Sequence, residues 1–508
     1  MTITLENSFG SGEPLECGDE RAQAPAAAAA RLELVETALR CAPDDIALLL
    51  EQARCLRELG DSWRARGALL SVLRRDRYQR DAMLALAELA IASGELDAAR
   101  TILSEAVVRH ARFAAAHTAL GTVLLEQDDR DAAARAFLTA LGIDALSGRA
   151  WCGLAVVLER CGNLAAAELA WKEAFREVGP ARSIYRGGNE PVRILLLWSA
   201  VDGNIPLHPV LDDRVFEWAT LFVESYYEGM ELPPHDVVIN AVGNPDLPPR
   251  ALRMAQRVVD ASTAAVVNDP ARVQTTTREA VANRLRGIPG VATPCIASVS
   301  RAALAARPAE LAEEYGLQWP LLVRSPGFHT GKHFVRVERA AEMNAGLAQL
   351  PGDELLLISY LDVRCPDGAF RKYRVMFIDG KLYPLHLAIA REWMVHYFSA
   401  EMSIPEHRAE EAAFLNDPAR VLGASHVRAL EQICTELALD YGGIDFSFDA
   451  RGRLVIFEAN ATMTVCIPPA GPQWEYARPA VERIRFAMRD MLVSRARSSA
   501  SACGRAGQ

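Results

Sequence analysis

Aromatic side chains make up only 7% of this sequence. Their scarcity leaves the N-terminal third without a clear ring to anchor a ligand. The ten cysteines contain no C-x-x-C pair, which argues against a structural zinc. Cys41, Cys55, Cys152 and Cys161 fall in helical patterns, where cysteine acts as a small buried hydrophobe. A basic excess is missing too. The net charge of −10 speaks against general nucleic-acid binding, because phosphate backbones recruit basic surfaces, although a local basic site is compatible with it. No apolar run approaches the ~20 residues that a membrane span needs. The N-terminus lacks the basic-then-apolar order of a signal peptide. No Ser-His-Asp or Cys-His constellation stands out. These absences lead us to expect a reduced, cytoplasmic protein that contacts neither nucleic acid nor membrane.

What is present is a soluble globular composition, 50% hydrophobic and 24% charged, over 508 residues. That length suits about three domains. Residues 1–28 and 495–508, rich in small and polar residues, read as disordered tails. Between them, residues 29–181 repeat with a period of about 34 residues. Ala53, Ala87, Gly121 and Ala155 form one small-residue position, and Ala65, Ala99, Ala133 and Ala167 a second. Leu69, Leu103, Phe137 and Trp171 recur as the bulky residue four positions further on. Gly60, Gly94, Asp128 and Gly162 mark the turns. Small residues allow two helices close approach, and the bulky one fills the next groove. The pattern resembles tetratricopeptide repeats. That resemblance implies an all-α solenoid whose concave groove binds a peptide or protein segment. A role limited to assembly, as in a homo-oligomer, stays open.

Residues 182–191 read as a linker, and a parallel α/β domain is expected over 192–295. Ile194–Trp198, His235–Asn240 and Ala264–Asn268 read as strands, with helices expected at about 213–227 and 248–260. Asn240, Asn244, Asn268 and Asp269 sit at the strand ends, either as ligand-facing groups or as helix caps.

An α+β domain is expected over 296–494. The strand Trp319–Arg324 feeds a loop containing Gly327 and Gly331 and followed by Lys332, which can fold its backbone N–H groups over phosphates. A further strand ends at Ser359, Tyr360 and Leu361. In the hairpin 368–383, alternation places Lys372 and Arg374 on one face and Arg371 and Tyr373 on the other. Two cations on one strand face are costly without an anion. Tyr441–Phe446 and Ile456–Thr462 form a second hairpin, which brings Asp445, Glu458 and Asn460 to one end of a sheet. Two carboxylates and an amide oxygen are hard ligands of the kind that hold Mg²⁺ together with phosphates.

This order of motifs resembles the ATP-grasp superfamily, closest to its glutathione-synthetase and ribosomal-glutamate-ligase-like branch, over roughly 300 residues. The fold expected is therefore a tetratricopeptide solenoid, then an α/β pre-ATP-grasp domain and an α+β ATP-grasp domain. The resemblance implies ATP as cosubstrate, with Mg²⁺ (or Mn²⁺) on Asp445, Glu458 and Asn460. Residues 358–361 would form the adenine-side hinge, although the family often has an acid where Ser359 stands. Arg324 and Arg278 stand where lysines usually contact phosphate, a change from point charge to planar fork. Gly327, Gly331, Lys332 and Lys372 would complete the nucleotide site, and Arg374 and Arg391 would act on the transferring phosphoryl group. His386 and His396 are lesser candidates for substrate contact. The implied reaction joins a small carboxylate to an amine through an acylphosphate. Three readings stay open: a ligase on a peptide held by the repeats, a ligase on free small molecules, and a nucleotide-binding adaptor.

Overall fold

The computed structural model describes residues 18–506, except 177, 202, 247–249, 328–330, 332, 466 and 470. It divides into two compact units: the first runs to Ile184 and also takes in Ala200 and Val201, and the second comprises the remaining described residues from Tyr185 onward.

The first unit is a run of helices, α1 (Gly18–Cys41), α2 (Ile46–Glu58), α3 (Ser62–Arg75), α4 (Arg80–Ala92), α5 (Leu96–Arg109), α6 (Ala114–Glu126), α7 (Arg130–Ile143), α8 (Gly148–Arg160) and α9 (Leu164–Ala174), before a two-residue strand β1 (Ala181–Arg182). Each repeat is one helix hairpin. Asp45, Asp61, Asp129, Ser147 and Asn163 cap the helices through side-chain oxygens, which satisfies N–H groups that a helix start leaves without partners. The turn positions Gly60, Gly94, Asp128 and Gly162 all have positive φ, between 60° and 77°, and this explains why glycine fills three of them. The eleven alanine and bulky residues named from the periodicity are all 0–2% exposed. Residues 1–17 of the expected N-terminal tail lie outside the described residues. Residues 18–28, expected as tail, are instead the first turns of α1, where alanine is the strongest helix former.

The second unit contains three sheets. In the first, β2 (Val192–Trp198), β3 (Phe216–Phe222), β4 (Val237–Asn240) and β5 (Ala265–Val267) are parallel, in the order β3-β2-β4-β5. The helix expected at 213–227 is the strand β3. Phe216, Trp218, Leu221 and Phe222 are each 7% exposed or less, and such residues suit a strand covered on both faces. The expected helix at 248–260 is Arg250–Asp260.

The second sheet is formed by β7 (Ile296–Ser300), β8 (Leu321–Arg324), β9 (Phe334–Val337) and β10 (Glu354–Ser359), in the order β7-β10-β8-β9 with antiparallel neighbours. The third is formed by β6 (Val291–Ala292), β11 (Phe370–Ile378), β12 (Lys381–Ala390), β13 (Tyr441–Phe448) and β14 (Leu454–Asn460), in the order β12-β11-β13-β14-β6. Asp379-Gly380, both at positive φ, turn β11 into β12. The last helix, Arg478–Ala506, continues through residues expected as a C-terminal tail. Arg495 anchors it there by donating to Asp379 and Asp440 at 2.8 and 2.9 Å. Among the described residues, no helix is long and apolar enough to cross a membrane.

One repeat carries a specific packing test. Phe137 replaces the leucine of two other repeats, and a β-carbon on Gly153 would lie 2.3 Å from its ring. Gly153→Ala gains about 0.5–1 kcal/mol of helix propensity. Overpacking against the ring costs about 1–3 kcal/mol, so we expect net destabilisation. Phe137→Leu should relieve most of that loss in the double variant. Urea unfolding followed by circular dichroism checks this, and strictly additive effects would contradict the contact.

Candidate active site

A cavity of the second unit lies between the second and third sheets. Its open space is about 180 Å³, against the ~10–15 Å³ that one water needs, so it accepts a ring-sized group. One end is apolar, with Ile296, Leu322, Phe334, Ile358 and Trp393 among its walls. Trp393 meets the edges of Phe334 and Tyr360 at centroid distances of 5.4 and 6.4 Å, which joins the walls across the opening. Ser359, Tyr360 and Leu361 line this end. The Ser359 hydroxyl accepts from Cys295 N at 2.8 Å, so it ties two strand ends together.

The other end is charged. Asp445 lies opposite Arg374 across β11/β13 and opposite Glu458 across β13/β14. Arg374 donates from Nε and Nη2 to the two oxygens of Asp445 at 2.5 and 2.7 Å. Lys372 Nζ stands 3.2 Å from Asp445 Oδ2. Asp445 is 3% exposed, and burial alone would raise its pKa. Arg374 and then Lys372 overcome that and hold the carboxyl well below its ordinary range. The strand pairing shifts register beside both partners, between Arg374 and Val375 and between Asp445 and Phe446. Such bulges re-aim side chains and recur next to active sites.

Glu458 Oε1 accepts from Arg278 Nη2 at 2.5 Å and from Asn460 Nδ2 at 2.8 Å. The N and Oγ1 of Thr462 donate to Asn460 Oδ1 at 2.9 and 2.8 Å, which fixes the amide. Arg324 is 7% exposed, and burial, then Arg278, push its pKa down to about 10. Four cationic side chains, Arg278, Arg324, Lys372 and Arg374, thus meet two carboxylates, Asp445 and Glu458, with a third, Asp246, acting on Arg324. The surplus is positive, and it sits where the dielectric is low and charge interactions are strong.

Does this corner suit a divalent cation? Asp445 and Glu458 oppose each other on neighbouring strands, and Asn460 follows two residues on, on the face of Glu458. Among the described residues no three His, Cys, Asp or Glu side chains gather at one point. A cation here would therefore take two carboxylates and an amide oxygen and complete its shell with phosphate oxygens, a shell that suits Mg²⁺. The donor set fits in chemistry and register. The protein's own donors occupy Asp445, Glu458 Oε1 and Asn460 Oδ1, so a bound cation replaces some of them.

Of the residues named from sequence, Arg278, Arg324, Gly331, Ser359, Tyr360, Leu361, Lys372, Asp445 and Glu458 line the cavity. Asn460 lines a small recess beside it, shared with Arg278 and Glu458. Arg374 joins through its ion pair. Gly327 and Gly331 have φ of 78° and 73° in the loop between β8 and β9. Lys332 lies outside the described residues. Arg391 is not brought to the cluster. It is exposed, and its Nη1 donates to the Asp367 carbonyl at 3.0 Å. His386 is 4% exposed behind the site, with its ring centroid 4.5 Å from that of Tyr397.

Sequence reasoning missed two groups. Asp246 lies close enough to Arg324 to favour its charged form. Glu411 is fully buried and accepts from Leu387 N at 3.2 Å and from the Tyr476 hydroxyl at 2.5 Å. Burial, opposed by those hydrogen bonds, lifts its pKa to about 7. No motif marks either residue, because their partners lie far away in sequence.

No family model and no curated protein matches the chain. Among solved structures it is similar to a thermophilic TPR protein of Thermus thermophilus, at 24% identity and a TM-score of 0.27, over 29% of this chain and 81% of that one. It is similar to MamA from Desulfovibrio magneticus, at 17% identity and a TM-score of 0.27, over 31% of this chain and 95% of that one. It is also similar to the D-alanine-D-alanine ligase of Coxiella burnetii, at 10% identity and a TM-score of 0.40, over 61% of this chain and 98% of that one. The chain's own architecture is a run of helix hairpins in the first unit and three sheets with flanking helices in the second.

Two outcomes follow from the site. Arg374→Met leaves Asp445 buried with Lys372 as its remaining close cation. We expect a loss of about 3–5 kcal/mol, against less than about 0.5 kcal/mol for the exposed Arg391→Met, in urea unfolding. Equal effects would contradict the ion pair. For Glu411 the folded pKa lies above the unfolded one, so the folded state holds the extra proton. Its contribution is complete below the unfolded pKa of about 4.5 and is lost as pH rises through about 7. Glu411→Gln should therefore gain on the wild type between pH 5 and 8, by on the order of 3 kcal/mol at the upper end. A pH series of unfolding curves measures it, and parallel curves would contradict it.

Proposed function

We propose that this protein is an ATP- and Mg²⁺-dependent carboxylate–amine ligase that acts through an acylphosphate. The positive surplus at one end of an otherwise apolar cavity carries this reading. An apolar slot suits a nucleobase, and four cations around two carboxylates suit a polyphosphate accompanied by a divalent ion. In this reading Asp445, Glu458 and Asn460 hold Mg²⁺, which would neutralise charge on the phosphates. Residues 359–361 border the base, and Arg278, Arg324 and Lys372 hold the phosphate chain. Gly327 and Gly331 let the loop between β8 and β9 approach that chain.

A carboxylate is a poor acyl donor because its oxyanion leaves badly. In the first step its oxygen attacks the γ-phosphorus, the bond to the bridging oxygen breaks, and ADP departs. In this reading Arg374, beside Asp445, would stabilise charge on the transferring group. In the second step the amine nitrogen attacks the acyl carbon, inorganic phosphate leaves with its electron pair, and the nitrogen loses a proton. The repeats are proposed to recruit a peptide or protein that carries one of the two substrates.

A coupled assay for ADP release, run over amino acids and candidate peptides, tests this. Glu458→Ala should lower substrate-dependent release at least a hundredfold while the repeats stay folded; wild-type turnover in that variant would sink the assignment. One observation favours a rival. Because Arg374 already holds both Asp445 oxygens, the unit could bind nucleotide without turnover, as an adaptor would. ATP binding with no ADP release from any acid–amine pair would favour that rival.

A further inference from the structure

The loop after β12 brings one polar group into the charged end of the cavity that the reading above does not use. His396 lines the cavity with Arg324, Gly331 and Lys372. Its Nε2 is buried and makes no hydrogen bond within the protein. Leaving a buried nitrogen without a partner is costly, so its position calls for a ligand atom. The backbone opposite is shaped to leave it room. A β-carbon at Gly331 would lie 2.4 Å from that nitrogen. The charged groups facing His396 are Lys372, Asp445, Arg324 and Arg374.

We propose that His396 binds phosphate, its Nε2–H donating to an oxygen of the nucleotide's phosphate chain. This rests on the nucleotide reading of the cavity. The imidazole suits the task better than another cation would. Burial, then Lys372, lower its pKa, which favours the uncharged ring. It supplies a directed donor without adding a fifth positive charge to the cluster. An amide at the end of glutamine places an N–H close to the Nε2 position, whereas alanine removes it.

Calorimetric titration of the full chain with Mg²⁺ and three probes tests the role: the β,γ-imido analogue of ATP, ADP, and adenosine. His396→Ala should weaken the triphosphate analogue about tenfold and leave adenosine unchanged, and His396→Gln should stay within about threefold of the wild type. Loss for ADP equal to that for the analogue would place the contact on the inner phosphates. Equal weakening of adenosine and the analogue, or no weakening of either, would overturn the proposal, as would a glutamine variant no better than alanine. A wild type that binds none of the three probes would overturn the nucleotide reading itself, and this role with it.

Discussion

A carboxylate buried in the middle of a sheet sets the terms for the second unit. Asp445 is almost fully shielded from water, and an ionised carboxylate there costs several kcal/mol unless cations meet it. Arg374 and Lys372 do so from the adjoining strand, two positions apart and on one face. Their pairing requires the β11/β13 register, which sets Arg374 directly opposite Asp445. Once that register is set, Glu458 must face Asp445 from β14, and Arg278 must reach Glu458 from a helix 180 residues earlier. The ion pairs therefore fix strand order and also gather the charges of the cavity's polar end.

The same cluster accounts for the division of the cavity. Apolar side chains from β7, β8 and β10 build one end, with Arg324 over Phe334 and Arg336 over Tyr360 at its margin. The other end carries more positive than negative side chains, an arrangement that favours anions and disfavours cations arriving alone. A divalent ion is then best placed in the company of phosphates, which supply both ligands and counter-charge. Burial and then Arg278 push the pKa of Arg324 down to about 10, while Glu458 and Asp246 oppose that shift.

Much of this was legible in sequence wherever local periodicity and burial agreed. The small and bulky positions of the repeats were read in register because each is forced by the same helix contact. The hairpins were read because alternation and turn residues coincide. Cations on one face of β11 called for an anion. The structure supplies one in Asp445, whereas phosphate had been the expected partner. The segment 213–227 was misread because its aromatic and aliphatic residues suit a buried strand and a helix alike over so short a window. Arg391 was placed by motif order, which says nothing of where the end of β12 lies; it falls outside the cluster. The Arg278–Glu458 pair, the Glu411–Tyr476 pair and the place of His396 depend on long-range packing that no local pattern encodes.

We propose that a nucleoside triphosphate binds in the cleft between the second and third sheets. Hydrogen-exchange mass spectrometry of the full chain, with and without MgATP, tests it most directly. The account predicts slower exchange in peptides spanning Leu321–Val337, Ser359–Leu361 and Tyr441–Asn460, with no change across α2 to α9. Protection confined to the repeats, or none in those segments at saturating MgATP, would contradict it.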